Sequence, residues 1–309
     1  MSNRNNNIVL SIGIMTFNHG AFISKFLISI FNQKVNFNYE VVVVDDASTD
    51  NTTNILKEFK NDYPDKIKLF LNENNMGVIH NAILLSENCK GKYLSFMDGD
   101  DYWIYVDKLQ EQVDFLESHN DYTGCFHDAQ IISTNPSNTD SKLYEKQHFN
   151  EHSSYSSLNR YYTDFLPKYL INRNIIPTAS LIFRQIDLTK FLNDFNDIKL
   201  SLNWAVHLFI IKGSKFRYID KQWSAYNDHP DGVSKKYKYS EFINTNIKVL
   251  NRFKSIKEFK KLRSELYRSL SREYKFLYHC TKQQRFPFMA ILNYIRCYSI
   301  FCLYKLFGI

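Results

Sequence analysis

Glycine, proline and cysteine are all scarce in this 309-residue chain, at 9, 6 and 5 residues. Each shortage removes a class of protein. So little glycine and proline leaves neither a collagen-like period nor a low-complexity, disordered composition. The cysteines, Cys89, Cys125, Cys280, Cys297 and Cys302, are odd in number and contain no C-x-x-C pair. Neither a disulfide framework nor a zinc site is indicated, and a reducing, cytoplasmic compartment is expected. The glycines also stand at the wrong spacings for phosphate loops. Without G-x-G-x-x-G or a Walker A loop, dinucleotide enzymes of the Rossmann type and P-loop NTPases are set aside. Long hydrophobic runs are missing too, since no segment offers 18 uninterrupted apolar residues. The apolar stretch Ile8–Phe17 is interrupted by Ser11 and Gly13 and has no small-residue cleavage site, so it reads as a first strand rather than a signal peptide. There are no internal repeats.

What is plentiful is aromatic side chain, with 21 Tyr and 25 Phe, and positive charge, with a net +7. The charge is unevenly spread. Residues 235–309 hold 17 Lys and Arg against 4 Asp and Glu, a balance of +13, which leaves −6 for the remainder. Polyanion binding is therefore a question for the tail alone. The length allows two domains, or one large domain with an appendage.

Over the first 130 residues strand-like and helix-like runs alternate. Ile8–Met15 is a strand, and Phe22, Phe26 and Ile30 recur at helical spacing within 21–33. Glu40–Val44 is a β-branched run, as in a strand buried on both faces. A helix carrying Ile55, Leu56 and Phe59 follows, with Asp50 or Thr49 able to cap it. Then come a strand at Lys66–Leu71, a helix at Val78–Asn88, a strand at Tyr93–Met97, a helix carrying Leu109, Val113 and Leu116, and a strand near Thr123–Phe126. This alternation predicts an α/β fold, a mostly parallel sheet with helices on both faces. A polar surface loop is expected at 133–152 and a Tyr-rich helical stretch at 155–172. Further on, strands are expected at Thr178–Phe183 and Lys215–Ile219, a helix at Leu200–Lys212, and basic helix after Lys235.

A parallel sheet places ligands beyond the carboxyl ends of its strands. Thr16, Phe17 and Asn18 follow the first strand, Asp45, Asp46 and Ser48 the second, and Asp98, Gly99, Asp100 and Asp101 the fourth. Helix caps and turns account for one such loop, with Asp50 the clearest case. Carboxylates gathered on one rim repel each other unless a cation or hydrogen-bond donors occupy the site. The D-x-D at Asp98-Gly99-Asp100 suits hard oxygen ligation of Mg²⁺ or Mn²⁺.

In order and spacing, four segments resemble a family 2 glycosyltransferase of the GT-A fold, over Ile8 to about Ser234. Ser11–Asn18 resembles the opening strand and its T-Y-N turn. Val43–Asp50 is similar to the D-D-x-S-x-D nucleoside loop. Asn75-Met76-Gly77 with Asn81 resembles the N-x-G segment, and Gly91–Asp101 the metal motif. A bare D-x-D is common, but the ordered set is specific. The resemblance implies a GT-A, Rossmann-like catalytic domain over 1–234. Its first half (1–130) would bind nucleotide-sugar and its second (131–234) would face the acceptor. It further implies that Thr16 supports a pyrimidine site, Phe17 lies against the base, and Asp46 accepts from its N–H. Asn18, Asn75, Gly77 and Gly99 would line the donor site, Asp98 would contact the ribose, and Asp100 would ligate Mn²⁺ or Mg²⁺ on the diphosphate. Phe17 replaces the commoner Tyr, and His80 stands where Arg is frequent.

Tyr226–Ser234 resembles the Y-R-x-H-x-x-G-V-S segment that closes such domains, so His229 would complete the metal shell or contact the diphosphate. The same segment also admits His229 as a plain turn residue before Pro230. At the position of the family's catalytic base, in a context such as L-G-D-W, the chain reads Ser201-Leu202-Asn203-Trp204. Asn203 has the shape of Asp but takes no proton at neutral pH. An engineered Asp→Asn exchange, a natural loss of activity, a substitute such as Asp197 or Asp194, and a shifted alignment all remain open.

The implied activity is metal-dependent, inverting transfer from a nucleoside-diphosphate sugar, a UDP-sugar, to a surface-polysaccharide or lipid-linked acceptor. A non-catalytic sugar-nucleotide-binding subunit is the alternative, motivated by Asn203. In the tail (235–309), Phe253, Phe259, Leu262, Leu266 and Leu270 form a stripe among cations, and Phe286–Ile309 is aromatic and apolar. An anionic membrane surface on the inner face of the cell membrane is the expected partner of this segment. Packing on the catalytic domain or on another subunit is the competing explanation. Nucleic acid is not expected.

Overall fold

A computed structural model describes residues 7–133, 163–281 and 288–307. The expected polar loop, beyond Ser133, and the Tyr-rich stretch up to residue 162 lie outside the described residues, as do 282–287 and 308–309 of the tail.

The described chain divides into two compact units. The first gathers residues up to Asp164, Ile175–Asn196 and Phe216–His229. Its early strands and helices follow the expected alternation: β1 (Leu10–Thr16), α1 (Ile23–Phe31), β2 (Tyr39–Asp45), α2 (Thr52–Asp62), β3 (Ile67–Leu71), α3 (Val78–Asn88) and β4 (Tyr93–Asp98). β5 (Tyr102–Trp103), α4 (Lys108–Ser118), β6 (Tyr122–Ser133), β7 (Ile182–Arg184) and β8 (Lys215–Asp228) complete it, with a short helix at Thr189–Asp194. The strand order is β3-β2-β1-β4-β7-β6-β8-β5. The pairs β1–β2, β1–β4 and β2–β3 are parallel, whereas β4–β7, β6–β7 and β5–β8 are antiparallel.

The reasons are local and then tertiary. β2 is buried at every position, as its valine run requires when both faces of the sheet are covered. α1 turns Ile23, Phe26, Leu27 and Ile30 inward at helical spacing. α2 starts at Thr52, and the side chain of Asp50, rather than Thr49, accepts from the Thr52 amide and hydroxyl. One expected strand is shortened. Pro177 holds φ near −60° and Ser180 N–H bonds back to its carbonyl, so Thr178–Ser180 is a 3₁₀ turn and pairing begins only at Ile182. β8 runs well past the expected Ile219, because its later residues Ser224 and Ala225 pair with β5.

The second unit comprises Phe165–Asn174, Asp197–Lys215 and the residues from Pro230 onward. It holds a short helix at Pro167–Asn172 and the helices α5 (Leu202–Ile211), α6 (Tyr239–Phe253), α7 (Arg263–Thr281) and α8 (Phe288–Phe307). α7 packs between α6 and α8. Phe253, Phe259, Leu266 and Leu270 of the predicted stripe are buried, and Leu262 is half-buried. Trp204 donates its indole N–H to Leu170 O at 2.7 Å, tying α5 to the Pro167–Asn172 helix.

Candidate active site

Register sets the site. Thr16 lies opposite Asp45 across β1–β2, and Met15 opposite Asp98 across β1–β4, so three strand ends open at one level. β1 sits between β2 and β4, where the connections diverge to either side, and this is where open α/β sheets take ligands.

On the β2 side the acidic loop is a scaffold. Asp45 accepts from the Ser48 amide and hydroxyl and from Thr53 Oγ1. Ser48 Oγ in turn accepts from the Asn18 amide at 2.8 Å, and Asn18 Oδ1 accepts from the Thr49 amide at 2.8 Å. Asn18 and Ala47 hold left-handed φ values of 56° and 61° to make these turns. Asp46 is buried and accepts from Met76 N–H at 2.7 Å, Gly77 N–H at 3.0 Å and Asn72 Nδ2 at 3.0 Å. Its amide donates to Thr16 O at 2.9 Å. Gly77 has φ 83°, a conformation that suits glycine before α3, while Asn75 is exposed. Phe17 stands at the rim, 39% exposed.

On the β4 side the acidic turn meets imidazoles. Asp100 Oδ2 faces His229 Nε2 at 3.3 Å and His19 Nε2 at 3.8 Å. His19 Nδ1 lies 3.2 Å from Thr16 Oγ1, which links the first strand to the D-x-D turn. Gly99 lies beneath: a Cβ there would meet His19 Nδ1 at 2.9 Å and Thr16 Oγ1 at 3.1 Å. β5–β8 pairing brings Asn227 and His229 in. The Asn227 amide donates to Asp101 Oδ1 at 3.1 Å and its side chain to Asp100 O. The His229 ring lies 4.4 Å from that of Phe22, and its buried Nδ1 has no hydrogen-bond partner among the described residues.

Burial pushes the Asp100 carboxyl up, but the His229 hydrogen bond and the field of His19 outweigh it and hold the group below the usual range. Asp101 goes well above its ordinary value, through burial first and then the charges of Asp100 and Asp98, with only the Asn227 amide opposing. Among the described residues no three His, Cys, Asp or Glu side chains form a ready metal shell. The donors nevertheless fit a divalent cation of the kind that takes one or two protein ligands and completes its shell with phosphate oxygens and water. A carboxylate oxygen and an imidazole nitrogen meet, and that imidazole's other nitrogen is unpartnered.

The structure thus gathers Thr16, Phe17, Asn18, Asp46, Gly77, Asp98, Gly99, Asp100 and His229 at the strand ends of the first unit. Asn203 and Asp197 belong to the second unit. Asn203 is the second residue of α5, two positions after Ser201, which has φ 56°. Asp197 is paired with Arg252 at 2.5 Å and Lys248 at 3.3 Å. Those partners outweigh partial burial and lower its pKa, making it a weaker base. Two residues escaped the sequence reading. His19 follows Thr16-Phe17-Asn18 directly, and Asn72 is the first residue after β3, in the place that polar residues take after β1, β2 and β4.

The glycosyl transferase family 2 model matches residues 11–189, and the chain belongs to that family. It is 28% identical over 224 residues to the uncharacterized protein Rv1520 of Mycobacterium tuberculosis, covering 72% of this chain and 60% of that one. A Bacillus subtilis glycosyltransferase named for teichuronic acid biosynthesis, TuaG, is 32% identical over 110 residues, 35% of this chain and 42% of its own. The alignment with the mycobacterial relatives thus spans less than two thirds of their length. Among solved structures, Staphylococcus aureus TarS 1–349 in complex with UDP-GlcNAc superposes with a TM-score of 0.62. It is 18% identical and covers 95% of this chain and 80% of that one, a likeness that establishes the GT-A fold.

Proposed function

We propose that this chain transfers a hexosyl or N-acetylhexosaminyl group from a UDP-sugar, with inversion, to a surface-polysaccharide or lipid-linked saccharide. The observation that carries the reading is the meeting of Asp100, His229 and His19 at the ends of β1 and β4, beside the loop held by Asp46. The exposed ring of Phe17 offers a face to a pyrimidine. Asp46 spends three acceptor positions on Asn72, Met76 and Gly77 and keeps about one of a carboxylate's four for a base N–H. Asp98 is assigned to the ribose, and Asn18, Asn75, Gly77 and Gly99 to the donor's surroundings. Asp100 and His229 would hold Mn²⁺ or Mg²⁺, which when bound supplies Lewis-acid neutralisation of the departing diphosphate. The donor seen with TarS and the biosynthetic role in TuaG's name support the choice of substrate classes.

In this reading residues 1–234 do the chemistry, and the basic segment 235–309 rests on anionic lipid at the inner face of the cell membrane. A thermal-shift series of nucleotide sugars with and without Mn²⁺ tests the donor site. Metal-dependent stabilisation by a UDP-sugar is expected, and its loss in Asp100→Ala.

The second reading, a sugar-nucleotide-binding subunit without catalysis, is favoured by Asn203 at the base position, since an amide cannot take the acceptor's proton. Asn203→Asp decides between them. Sugar transfer rising by about 10²-fold or more supports the base assignment. Equal transfer by both forms overturns it. Donor binding without transfer by either form leaves the subunit reading.

A further inference from the structure

The C-terminal helix α8 carries apolar side chains on both of its faces, and only one face is covered. Ala290 and Cys297 are buried, and Tyr304 stacks on Tyr267 of α7 with centroids 5.8 Å apart. At about 100° per residue, Phe288, Leu292, Ile295, Leu303 and Leu306 fall within a sector roughly 80° wide on the opposite side. These side chains are exposed, Phe288 at 66% and Leu306 at 77%, and Met289 and Phe307 widen the edge. Ser299 is the one polar side chain inside the stripe. Arg296 borders it on one flank, and Tyr298 and Lys305 on the other, all three exposed.

An ordinary soluble helix turns polar groups outward once its inner face is packed. Here the outer face is an apolar strip, broken only by Ser299 and flanked by cations and a tyrosine, a pattern that favours the boundary between headgroups and acyl chains. No helix among the described residues is long and apolar enough to cross a membrane. We infer that α8 lies in the plane of an anionic lipid surface and inserts Phe288, Leu292, Ile295, Leu303 and Leu306 below the headgroups. This deepens the membrane placement proposed above: attachment is by hydrophobic insertion, and the positive charge steers it. A lipid surface is favoured over a second copy of the chain because residues 235–309, which include α8, carry 17 Lys and Arg against 4 Asp and Glu. Two such segments face to face would repel, whereas anionic headgroups neutralise them.

The test is flotation of the full chain with vesicles of phosphatidylcholine alone or mixed with phosphatidylglycerol. Binding to the mixed vesicles is expected, with a fraction persisting at about 1 M salt, where the Debye length is ~3 Å. The double variant Ile295→Glu, Leu303→Glu should weaken partitioning by about tenfold or more, with helical content unchanged. An Ile295→Trp variant should show blue-shifted emission and quenching by brominated lipid, an independent sign of insertion. Complete release at high salt with no effect of the glutamates would overturn insertion. So would absence of vesicle binding with a concentration-dependent dimer that the same glutamates dissolve. Vesicle binding without stabilisation by any nucleotide sugar would sink the donor assignment and leave this one standing.

Discussion

The two ends of the parallel sheet treat buried carboxylates in opposite ways. At the amino end Glu40 of β2 is buried, and both of its oxygens have protein donors. Oε1 accepts from Ser11 Oγ at 2.6 Å and from the Lys90 amide at 2.8 Å, and Oε2 pairs with Lys68 Nζ at 2.7 Å. Ser11 Oγ in turn accepts from Gly91 N–H, where a Cβ would lie 2.4 Å from the Ser11 nitrogen. Burial pushes the Glu40 carboxyl up, and these donors bring it below its usual value. At the carboxyl end Asp100 faces two imidazoles and Asp101 accepts from the Asn227 amide, and the Asp101 carboxyl is driven up as that of Asp100 is held down. Glu40, tied to a lysine and two further donors away from the ligand rim, is architecture. Adjacent buried carboxylates, one raising the pKa of the other, form the kind of group that a cation can neutralise.

The comparison can be broken from either side. The largest effect is expected at the carboxyl end: Asp100→Ala should lower sugar transfer by about 10²-fold or more, with a melting temperature close to that of the parent in the absence of nucleotide. Assays of UDP release alongside calorimetry check both halves. At the amino end Glu40→Ala should do the reverse. It should cost about 2–3 kcal/mol of stability in denaturant titrations by orphaning the Ser11 hydroxyl and the Lys90 amide, the half-exposed Lys68 turning to water, while the folded fraction keeps its donor affinity.

The pH dependence of unfolding follows the same logic. Glu40 has a folded pKa below its ordinary 4.5, so its contribution is complete above that value and is lost as pH falls through the folded one. Glu40→Gln should flatten that acid limb.

Lys108 sharpens the contrast from the cationic side. It is fully buried and its Nζ has no hydrogen-bond partner among the described residues; it lies 4.1 Å from the Trp103 ring centroid, and burial brings its pKa down to about 7. Between about pH 7 and 10.5 the unfolded chain holds the extra proton, so stability climbs with pH across that window. Lys108→Met should add about 3 kcal/mol near pH 7 and remove the climb. The smallest effect is expected for Phe17→Ala, which gives up base stacking worth about 1 kcal/mol or a little more, read as a weaker UDP-sugar affinity with unchanged stability.

The parallel half of the sheet was legible from the sequence because its signals are local. β2 is a valine run, α3 begins after a glycine and spans its expected range, and the polar residues follow the strands within one or two positions. The D-x-D turn and the acidic loop after β2 were found for the same reason. The rest depended on pairings across long stretches of chain. β5 has only two residues and no period to read, yet its pairing with β8 carries Asn227 and His229 to Asp100 and Asp101 across more than 120 positions. His19 lay in plain view after Asn18, but what gives it a role is Gly99, whose missing side chain leaves room for the imidazole between Thr16 and Asp100.

By itself the sequence determined the fold class, the family pattern and the rim on which the acidic residues gather, because hydrophobic period and turn chemistry act over a few residues. Only the tertiary structure decided which carboxylates are satisfied. Glu40, Asp46 and Asp197 are all acidic residues in the sequence, but each finds a different set of donors, and partner supply depends on which segments the fold brings within 3 Å. It likewise decided which face of α8 is covered, since a helix apolar all round does not say which side will pack until α7 takes one of them.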